Sequence, residues 1–146
     1  MLNKALDIAY KAHWGQTDKA GAPYKLHLTR VALHCQTEDE KIVALLHDVV
    51  EDTSMTLEEL KAQGFSDEVL AALKCLTQIE DEDYQTFIQR VATNPLAVKV
   101  KIQDLKDNMD LSRLDGKPHW KMETYKKALD CLLYTSPSPR DISGSR

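Results

Sequence analysis

Apolar residues recur every three or four positions along most of the chain, and this helical spacing is the feature that most restricts its fold. In residues 2–13 the spacing is formed by Leu2, Ala5, Leu6, Ala9 and Ala12. It returns in residues 25–36, after a loop that contains the turn formers Gly21 and Pro23. No segment shows the apolar–polar alternation of a half-buried strand. The sequence therefore predicts an all-α fold.

Residues that cap helices mark where several of these helices begin. Two pairs have the spacing of a capping box, in which a Thr and a Glu each accept from the other's backbone N–H group: Thr37 with Glu40, and Thr56 with Glu59. Ser66 is placed to cap the next helix, and Asn94-Pro95 predicts an N-cap followed by a proline in the first turn. Later helices are predicted over residues 67–77, 84–92, 95–111 and 120–133.

The C-terminal segment differs in composition from the rest of the 146-residue chain. From Tyr134 onward, YTSPSPRDISGSR loses the apolar spacing and is rich in Ser, Pro and Arg, which is typical of a disordered terminus. It also resembles the peptide obtained when sequencing-adapter DNA is translated at a broken gene end. We expect one helical domain over residues 1–133 and a disordered tail over 134–146. A non-native tail is favoured, and a natural tail is the alternative.

Net charge and hydropathy limit the kinds of molecule that we expect the protein to bind. A formal net charge of -4 provides no general basic field for DNA or RNA. The apolar stretches are only a few residues long, whereas roughly 20 are needed to cross a bilayer. Three widely spaced cysteines in predicted helices, Cys35, Cys75 and Cys131, indicate buried thiols in a reducing cytoplasm. We expect a cytoplasmic protein that binds a small molecule rather than nucleic acid or membrane, and its oligomeric state is left open.

The segment ALLHDVVEDT, residues 44–53, sets four ionisable side chains into the end of an apolar helix. Residues four apart share a helix face, so His47 would stack with Glu51, and Asp48 with Asp52. Burying such groups unpaired is costly, and imidazole and carboxylate groups are natural ligands of a divalent cation. The segment predicts a metal site, with a solvated helix end as the alternative.

Two other segments supply weaker candidates. In the long helix that follows Pro95, Asp104 and Asn108 share a face, and Lys101 lies one turn before Asp104. A lone carboxylate of this kind is more often an ion-pair partner. His27 follows a Gly-Ala-Pro-Tyr turn near a helix start, but spacing alone does not select it over the other histidines.

Taken in chain order, these residues resemble the HD superfamily of metal phosphohydrolases, whose pattern is a histidine, a His-Asp pair and a distant Asp. The resemblance is closest to the hydrolase domain of the RelA/SpoT alarmone enzymes and to the stand-alone small alarmone hydrolases. The first family pattern reads here as His13, Gly15-Gln16, Lys19, Gly21-Ala-Pro-Tyr24 and His27. The motif HDVVEDT is unaltered over residues 47–53, and the last signature reads as Lys101, Asp104, Asn108 and Met109.

The resemblance implies an HD-type phosphohydrolase domain over residues 1–133 and a role for each matched residue. The metal ligands would be His27, His47, Asp48 and Asp104, with Mn²⁺ typical of the family and another divalent cation as the alternative. The catalytic acids would be Glu51 and Asp52, and the substrate contacts would be Lys19, Tyr24, Lys101 and Asn108. The implied reaction is hydrolysis of the 3′-pyrophosphate of guanosine tetra- or pentaphosphate (ppGpp or pppGpp), the alarmones of the stringent response, to GDP or GTP and pyrophosphate.

The chain departs from the family pattern where the nucleotide would bind. Asp18 stands where the family usually has an Arg that can stack on guanine, and the last signature loses two arginines as Asp104-Leu-Lys-Asp-Asn-Met-Asp110. A carboxylate at position 18 would remove a cation–π contact and repel phosphate. The alternatives are therefore a phosphatase for another nucleotide, such as an NADPH-like dinucleotide or a nucleoside 3′-phosphate, and a non-catalytic nucleotide sensor.

Overall fold

The computed structural model describes residues 1–18, 21–110 and 121–135, and within these ranges the predicted all-α fold is confirmed. Among these described residues, β-type hydrogen bonding is limited to one isolated bridge between Thr17 and Pro23. The helices are α1 (Leu2–Ala12), α2 (Tyr24–Leu33), α3 (Glu38–Leu46), α4 (Val49–Asp52), α5 (Leu57–Ala62), α6 (Asp67–Leu76), α7 (Tyr84–Val91), α8 (Pro95–Asn108) and α9 (Met122–Thr135).

Most of the predicted helix caps are formed. The Thr56 hydroxyl accepts a hydrogen bond from the Glu59 backbone N–H, and the Glu59 carboxylate accepts one from the Thr56 N–H, which completes the capping box of α5. Ser66 caps α6, and Asn94 caps α8 with Pro95 in the first turn. Each such cap stabilises its helix by about 1 kcal/mol.

The capping box predicted at α3 is only half formed. Thr37 accepts from the backbone N–H of Glu40, but the Glu40 carboxylate accepts from the backbone N–H of Gln36 rather than from that of Thr37. The other carboxylate oxygen of Glu40 lies 3.8 Å from Nζ of Lys99 in α8. This ion pair draws the Glu40 side chain away from the geometry of a full box.

The helix predicted through residues 44–53 is interrupted, so the single-helix prediction is wrong. α3 ends at Leu46, His47 and Asp48 form a turn, and α4 begins at Val49. His47 Nδ1 lies 2.6 Å from the carbonyl oxygen of Ala44, and the Asp48 carboxylate binds the Tyr24 hydroxyl. Such local side-chain contacts compete with continuation of the helix. His47 therefore lies at the C-cap of α3 and Asp48 at the N-cap of α4.

α3 is the central helix of the described fold. It packs against α1, α2, α6 and α8, and its residues 42–46 are all at most 2% exposed. Burying a Leu, Ile or Val side chain completely contributes roughly 1.5–3 kcal/mol, so this run holds the surrounding helices in place. Because His47 directly follows the run, its imidazole is fixed where α2, α3 and α8 meet.

Three further sequence-based expectations can be compared with the described residues. Cys35 is buried as expected, but Cys131 is exposed, so the prediction of three buried thiols is wrong. α9 includes Tyr134 and Thr135, whereas residues 136–146 of the predicted tail lie outside the described ranges. Within the described ranges, none of the helices combines the length and the apolar character that crossing a bilayer requires.

Candidate metal centre

Three buried side chains from three helices meet in the interior of the fold. His27 comes from α2, His47 from the end of α3 and Asp104 from α8, and they are 2%, 4% and 4% exposed. The Asp104 Oδ1 atom lies 2.8 Å from His27 Nε2 and 3.4 Å from His47 Nε2. One ligand atom from each residue lies within 4.8 Å of the others. Two imidazole nitrogens and a carboxylate oxygen at this spacing suit a divalent cation, which makes the cluster a candidate divalent-metal site.

The fourth predicted ligand lies at the edge of this cluster. Asp48 Oδ2 is 3.3 Å from His47 Nε2, and the Asp48 side chain is 20% exposed, against 6% for Asp104. The Tyr24 hydroxyl donates a hydrogen bond to the same Oδ2 atom. The structure therefore clusters three of the four predicted ligands and places Asp48 against His47 at the edge, where Tyr24 orients its carboxylate.

The charges of the clustered side chains shift one another's pKa values. Burial alone would lower the pKa of His47, but the charges of Asp48 and Asp104 outweigh it and raise the pKa to about 9. Burial likewise opposes the charged form of His27, yet hydrogen bonds to Asp104 and Asp107 raise its pKa above the usual value. Burial would raise the pKa of Asp104, but Lys101 and the two histidines hold it well below the usual range. Asp104 is thus an ionised carboxylate surrounded by cationic partners.

Glu51 and Asp52, the two predicted catalytic acids, lie on α4 beside the cluster and are exposed. Glu51 Oε2 accepts a hydrogen bond from the backbone N–H of Gln78 at 3.0 Å. Partial burial raises the pKa of both carboxyls, and the neighbouring charge of Asp48 raises them further. Carboxyl groups with raised pKa values are suited to accept and return a proton near neutral pH.

A cleft of about 350 Å³ opens beside His47, Asp48 and Glu51. Lys101 and Asn108, two of the predicted substrate contacts, line it from α8, and Lys101 Nζ also lies 3.0 Å from Asp104 Oδ2. Their contact with a substrate stays a prediction. Asn108 Nδ2 approaches Asp104 Oδ1 at 3.4 Å. The other lining residues are Leu76, Gln78, Tyr84, Phe87, Lys121, Thr124 and Tyr125. The cleft thus combines lysines, which can meet phosphate, with aromatic rings, which can pack on a base or ribose.

The other two predicted substrate contacts are Lys19 and Tyr24. Lys19 lies outside the described residues. Tyr24 is held by its hydrogen bond to Asp48, and its ring centroid lies 5.3 Å from that of His27. Its contact with a nucleotide stays a prediction.

Several functional candidates were missed by the sequence analysis. Lys121, Thr124 and Tyr125 look like ordinary residues of an amphipathic helix, and only the packing of α9 against α7 and α8 brings them to the cleft. Asp107 contacts His27, 80 positions away in the chain, so local spacing gives no signal for the pair. His13 was noted only as part of the family pattern. It is 2% exposed, and its Nε2 atom has no hydrogen-bond partner among the described residues.

Comparisons with known proteins find relatives that match most of the chain. No protein-family model matches the chain. A guanosine-3′,5′-bis(diphosphate) 3′-pyrophosphohydrolase from Aquifex aeolicus is 32% identical over 120 residues, which is 74% of this chain and 17% of that protein. The enzyme of the same name from Borreliella burgdorferi is 39% identical over 82 residues, 53% of this chain and 12% of that protein.

A solved structure extends the likeness across most of the fold. It is that of a metazoan ortholog of SpoT that hydrolyses ppGpp and plays a role in starvation responses. It matches with a TM-score of 0.72 and 25% identity, covering 92% of this chain and 86% of that one. The chain is a RelA/SpoT hydrolase-like HD domain. The predicted family is therefore confirmed, and this HD domain spans only about one eighth to one sixth of the two curated relatives.

Proposed function

We propose that this HD domain is a metal-dependent phosphohydrolase that removes the 3′-pyrophosphate of ppGpp or pppGpp. The observation that carries the proposal is the buried cluster of His27, His47 and Asp104 at the wall of a cleft that also presents Glu51. Two relatives of this chain, 32% and 39% identical over the matched residues, are named as guanosine-3′,5′-bis(diphosphate) 3′-pyrophosphohydrolases. A structural metal site usually closes its shell with protein ligands, often cysteines, whereas this cluster adjoins an open cleft.

Each predicted ligand keeps its role in the proposal. His27, His47, Asp48 and Asp104 would hold the cation, for which we propose Mn²⁺. A divalent cation at such a site supplies Lewis-acid activation of water and of a phosphoryl oxygen. The buried nitrogen and oxygen donors fit such an ion, because imidazole and carboxylate groups bind divalent cations and a cation can replace the protons that now balance the charge of Asp104.

The acids and lysines of the cleft perform the remaining steps. Glu51 and Asp52 orient the attacking water, and one of their carboxylates accepts its proton as the new P–O bond forms. The bond between the ribose 3′-oxygen and phosphorus breaks, and the same proton passes to the leaving 3′-oxygen. Lys101 and Lys121 balance the charge of the phosphates, and Asn108 donates to the nucleotide. Lys19 and Tyr24 are proposed as further contacts.

A phosphatase for another phosphorylated nucleotide is the second candidate. It is favoured by Asp18, whose carboxylate occupies the position of the guanine-stacking Arg and lies 3.8 Å from Arg30. A guanidinium available for stacking is thus missing from that position. The proton chemistry would be the same, and only the substrate and the leaving group would differ.

The function can be tested by product analysis with ppGpp, NADPH and a nucleoside 3′-phosphate, each with and without Mn²⁺. Pyrophosphate released from ppGpp only when Mn²⁺ is present is the expected result. Orthophosphate from another substrate would favour the second candidate. Mn²⁺ binding without turnover of any substrate would contradict both and point to a nucleotide sensor. A cytoplasmic location and a domain limit near residue 133 stay predictions.

A further inference from the structure

An ion-pair network reaches the candidate metal centre through residues that do not line the cleft. Arg30 of α2 donates from Nε to Asp107 Oδ1 at 2.8 Å and from Nη2 to Asp107 Oδ2 at 3.1 Å. The same Oδ2 atom lies 2.5 Å from Nδ1 of His27. A two-point contact between Arg and a carboxylate fixes orientation as well as charge, so Arg30 sets the angle at which Asp107 meets His27.

The network continues to the loop that precedes α2. Asp18 Oδ2 lies 3.8 Å from Arg30 Nη2, and Asp18 Oδ1 accepts a hydrogen bond from the Ala22 backbone N–H at 3.0 Å. The side chains of Asp18 and Asp107 are each only 9% exposed. Arg30 thus joins Asp18, which precedes α2 in the chain, to α8.

The position of Asp107 decides which nitrogen of His27 is available to a cation. An ionised carboxylate only accepts hydrogen bonds, so His27 Nδ1 carries the proton that it donates to Asp107. The other nitrogen, Nε2, lies 2.8 Å from Asp104 Oδ1 and donates to it in the metal-free protein. A cation bound in the cluster would take the place of that proton, whereas the Nδ1 proton stays with Asp107. A histidine that binds a metal through one nitrogen commonly donates from the other to a carboxylate, which fixes both the ring and its tautomer.

We propose that Asp107 is a positioning residue for the metal centre, anchored by Arg30 and Asp18. It keeps Nε2 of His27 turned toward Asp104 and His47. This inference rests on the proposed metal site but not on the identity of the nucleotide. It also gives the carboxylates of Asp18 and Asp107 a common role around one guanidinium.

The test is a Mn²⁺ titration at pH 8, followed by electron paramagnetic resonance, of full-length wild type and Asp107→Ala. Loss of such a partner typically weakens metal binding about 10–100-fold, and we expect a loss in that range. Asp107→Glu should recover most of the affinity. Asp7→Ala is the matched control, because Asp7 forms an exposed ion pair with Lys11 in α1. Its Mn²⁺ affinity should equal that of wild type.

A spectroscopic signature separates positioning from a general loss of stability. In ¹⁵N-histidine-labelled protein loaded with diamagnetic Zn²⁺, which binds imidazole well, His27 should show a slowly exchanging Nδ1–H proton that disappears in Asp107→Ala. If that variant does not fold, the isosteric Asp107→Asn replaces it, with an expected loss of affinity of about tenfold.

Wild-type Mn²⁺ affinity in the folded alanine or asparagine variant would overturn the proposal. An unchanged Nδ1–H signal in Asp107→Ala would do the same, because alanine offers that proton no acceptor. A wild type that binds Mn²⁺ but hydrolyses none of the nucleotides would refute the proposed function and leave this inference standing.

Discussion

The Tyr24 hydroxyl donates a hydrogen bond to Oδ2 of Asp48, the most exposed of the four candidate ligands. Tyr24 opens α2 and Asp48 opens α4, so the contact ties the two helix starts together beside the cluster. Burial and the charge of Asp48 raise the pKa of Tyr24 well above its usual value, which keeps the hydroxyl protonated as a donor.

Tyr24→Phe should therefore weaken Mn²⁺ binding. A hydrogen bond to a charged group contributes about 1.5–3 kcal/mol, and we expect a loss of about tenfold in affinity by calorimetric titration. Because Tyr24 remains neutral over the accessible pH range, the loss should be the same at pH 7 and pH 9. Tyr134→Phe is the control, since Tyr134 is 93% exposed. Equal affinities in the two variants would show that the contact does not orient Asp48.

Asp18→Arg should fail to raise ppGpp hydrolysis, although it restores the residue of the family pattern. The new guanidinium would stand beside Arg30, where Asp18 now lies 3.8 Å away, and would lose the bond to Ala22. We expect the free energy of unfolding to fall by about 1–2 kcal/mol. Asp18→Asn, which can still accept from Ala22, should be affected less. A gain in kcat/KM for ppGpp in Asp18→Arg would show that position 18 faces the base.

The stability of the metal-free protein should fall as the pH rises above neutrality. His47 has its pKa raised from 6.5 to about 9 in the fold, so its contribution is complete below about pH 6.5. That contribution is lost as the pH approaches 9, and His27 acts in the same direction. We expect a loss on the order of 2–3 kcal/mol in urea unfolding with EDTA present.

Two controls separate this effect from other titrations. Saturating Mn²⁺ should remove most of the pH dependence, because a cation takes the place of the proton on each imidazole. His34→Gln should leave it intact, since His34 is exposed. Constant or rising stability of the metal-free protein between pH 6.5 and 9 would contradict the account.

Arg90 should stabilise the fold without taking part in the metal site. Its guanidinium donates to the carbonyl oxygens of Lys74 and Thr77 at 2.8 Å each, and to Glu82 at 2.9 Å. Arg90→Met leaves those carbonyls at the end of α6 without this donor and should cost about 2 kcal/mol in unfolding free energy. The Mn²⁺ affinity should stay unchanged. A marked loss of Mn²⁺ binding would contradict this prediction and show that the contact between α6 and α7 affects the metal site.

The sequence predicted the parts of the fold that depend on local signals. The caps at Thr56, Ser66 and Asn94 were predicted correctly because a helix cap depends on only two or three neighbouring residues. The turn at His47 and Asp48 was missed, because it depends on a contact with Tyr24 that helical periodicity does not encode.

The candidate ligands could be predicted from the residue pattern, but the residues that position them could not. The four candidate ligands follow the family spacing. The structure joins His27, His47 and Asp104 in one buried cluster and places Asp48 against His47, and their role as ligands stays a prediction. Arg30 and Asp107 are 77 positions apart, and each alone looks like a surface charge. The contribution of α9 to the cleft depends on how that helix packs, which the sequence of an amphipathic helix does not specify.

The most direct test of the central claim compares Asp104→Asn with Glu51→Gln in parallel assays of Mn²⁺ binding and ppGpp hydrolysis. Asp104 is a buried candidate ligand, so its variant should lose the metal and the activity together. Glu51 lines the cleft as a proposed proton acceptor, so its variant should bind Mn²⁺ as wild type does, while kcat falls about 100-fold or more. An Asp104→Asn protein that still hydrolyses ppGpp at the wild-type rate would contradict the metal-dependent mechanism.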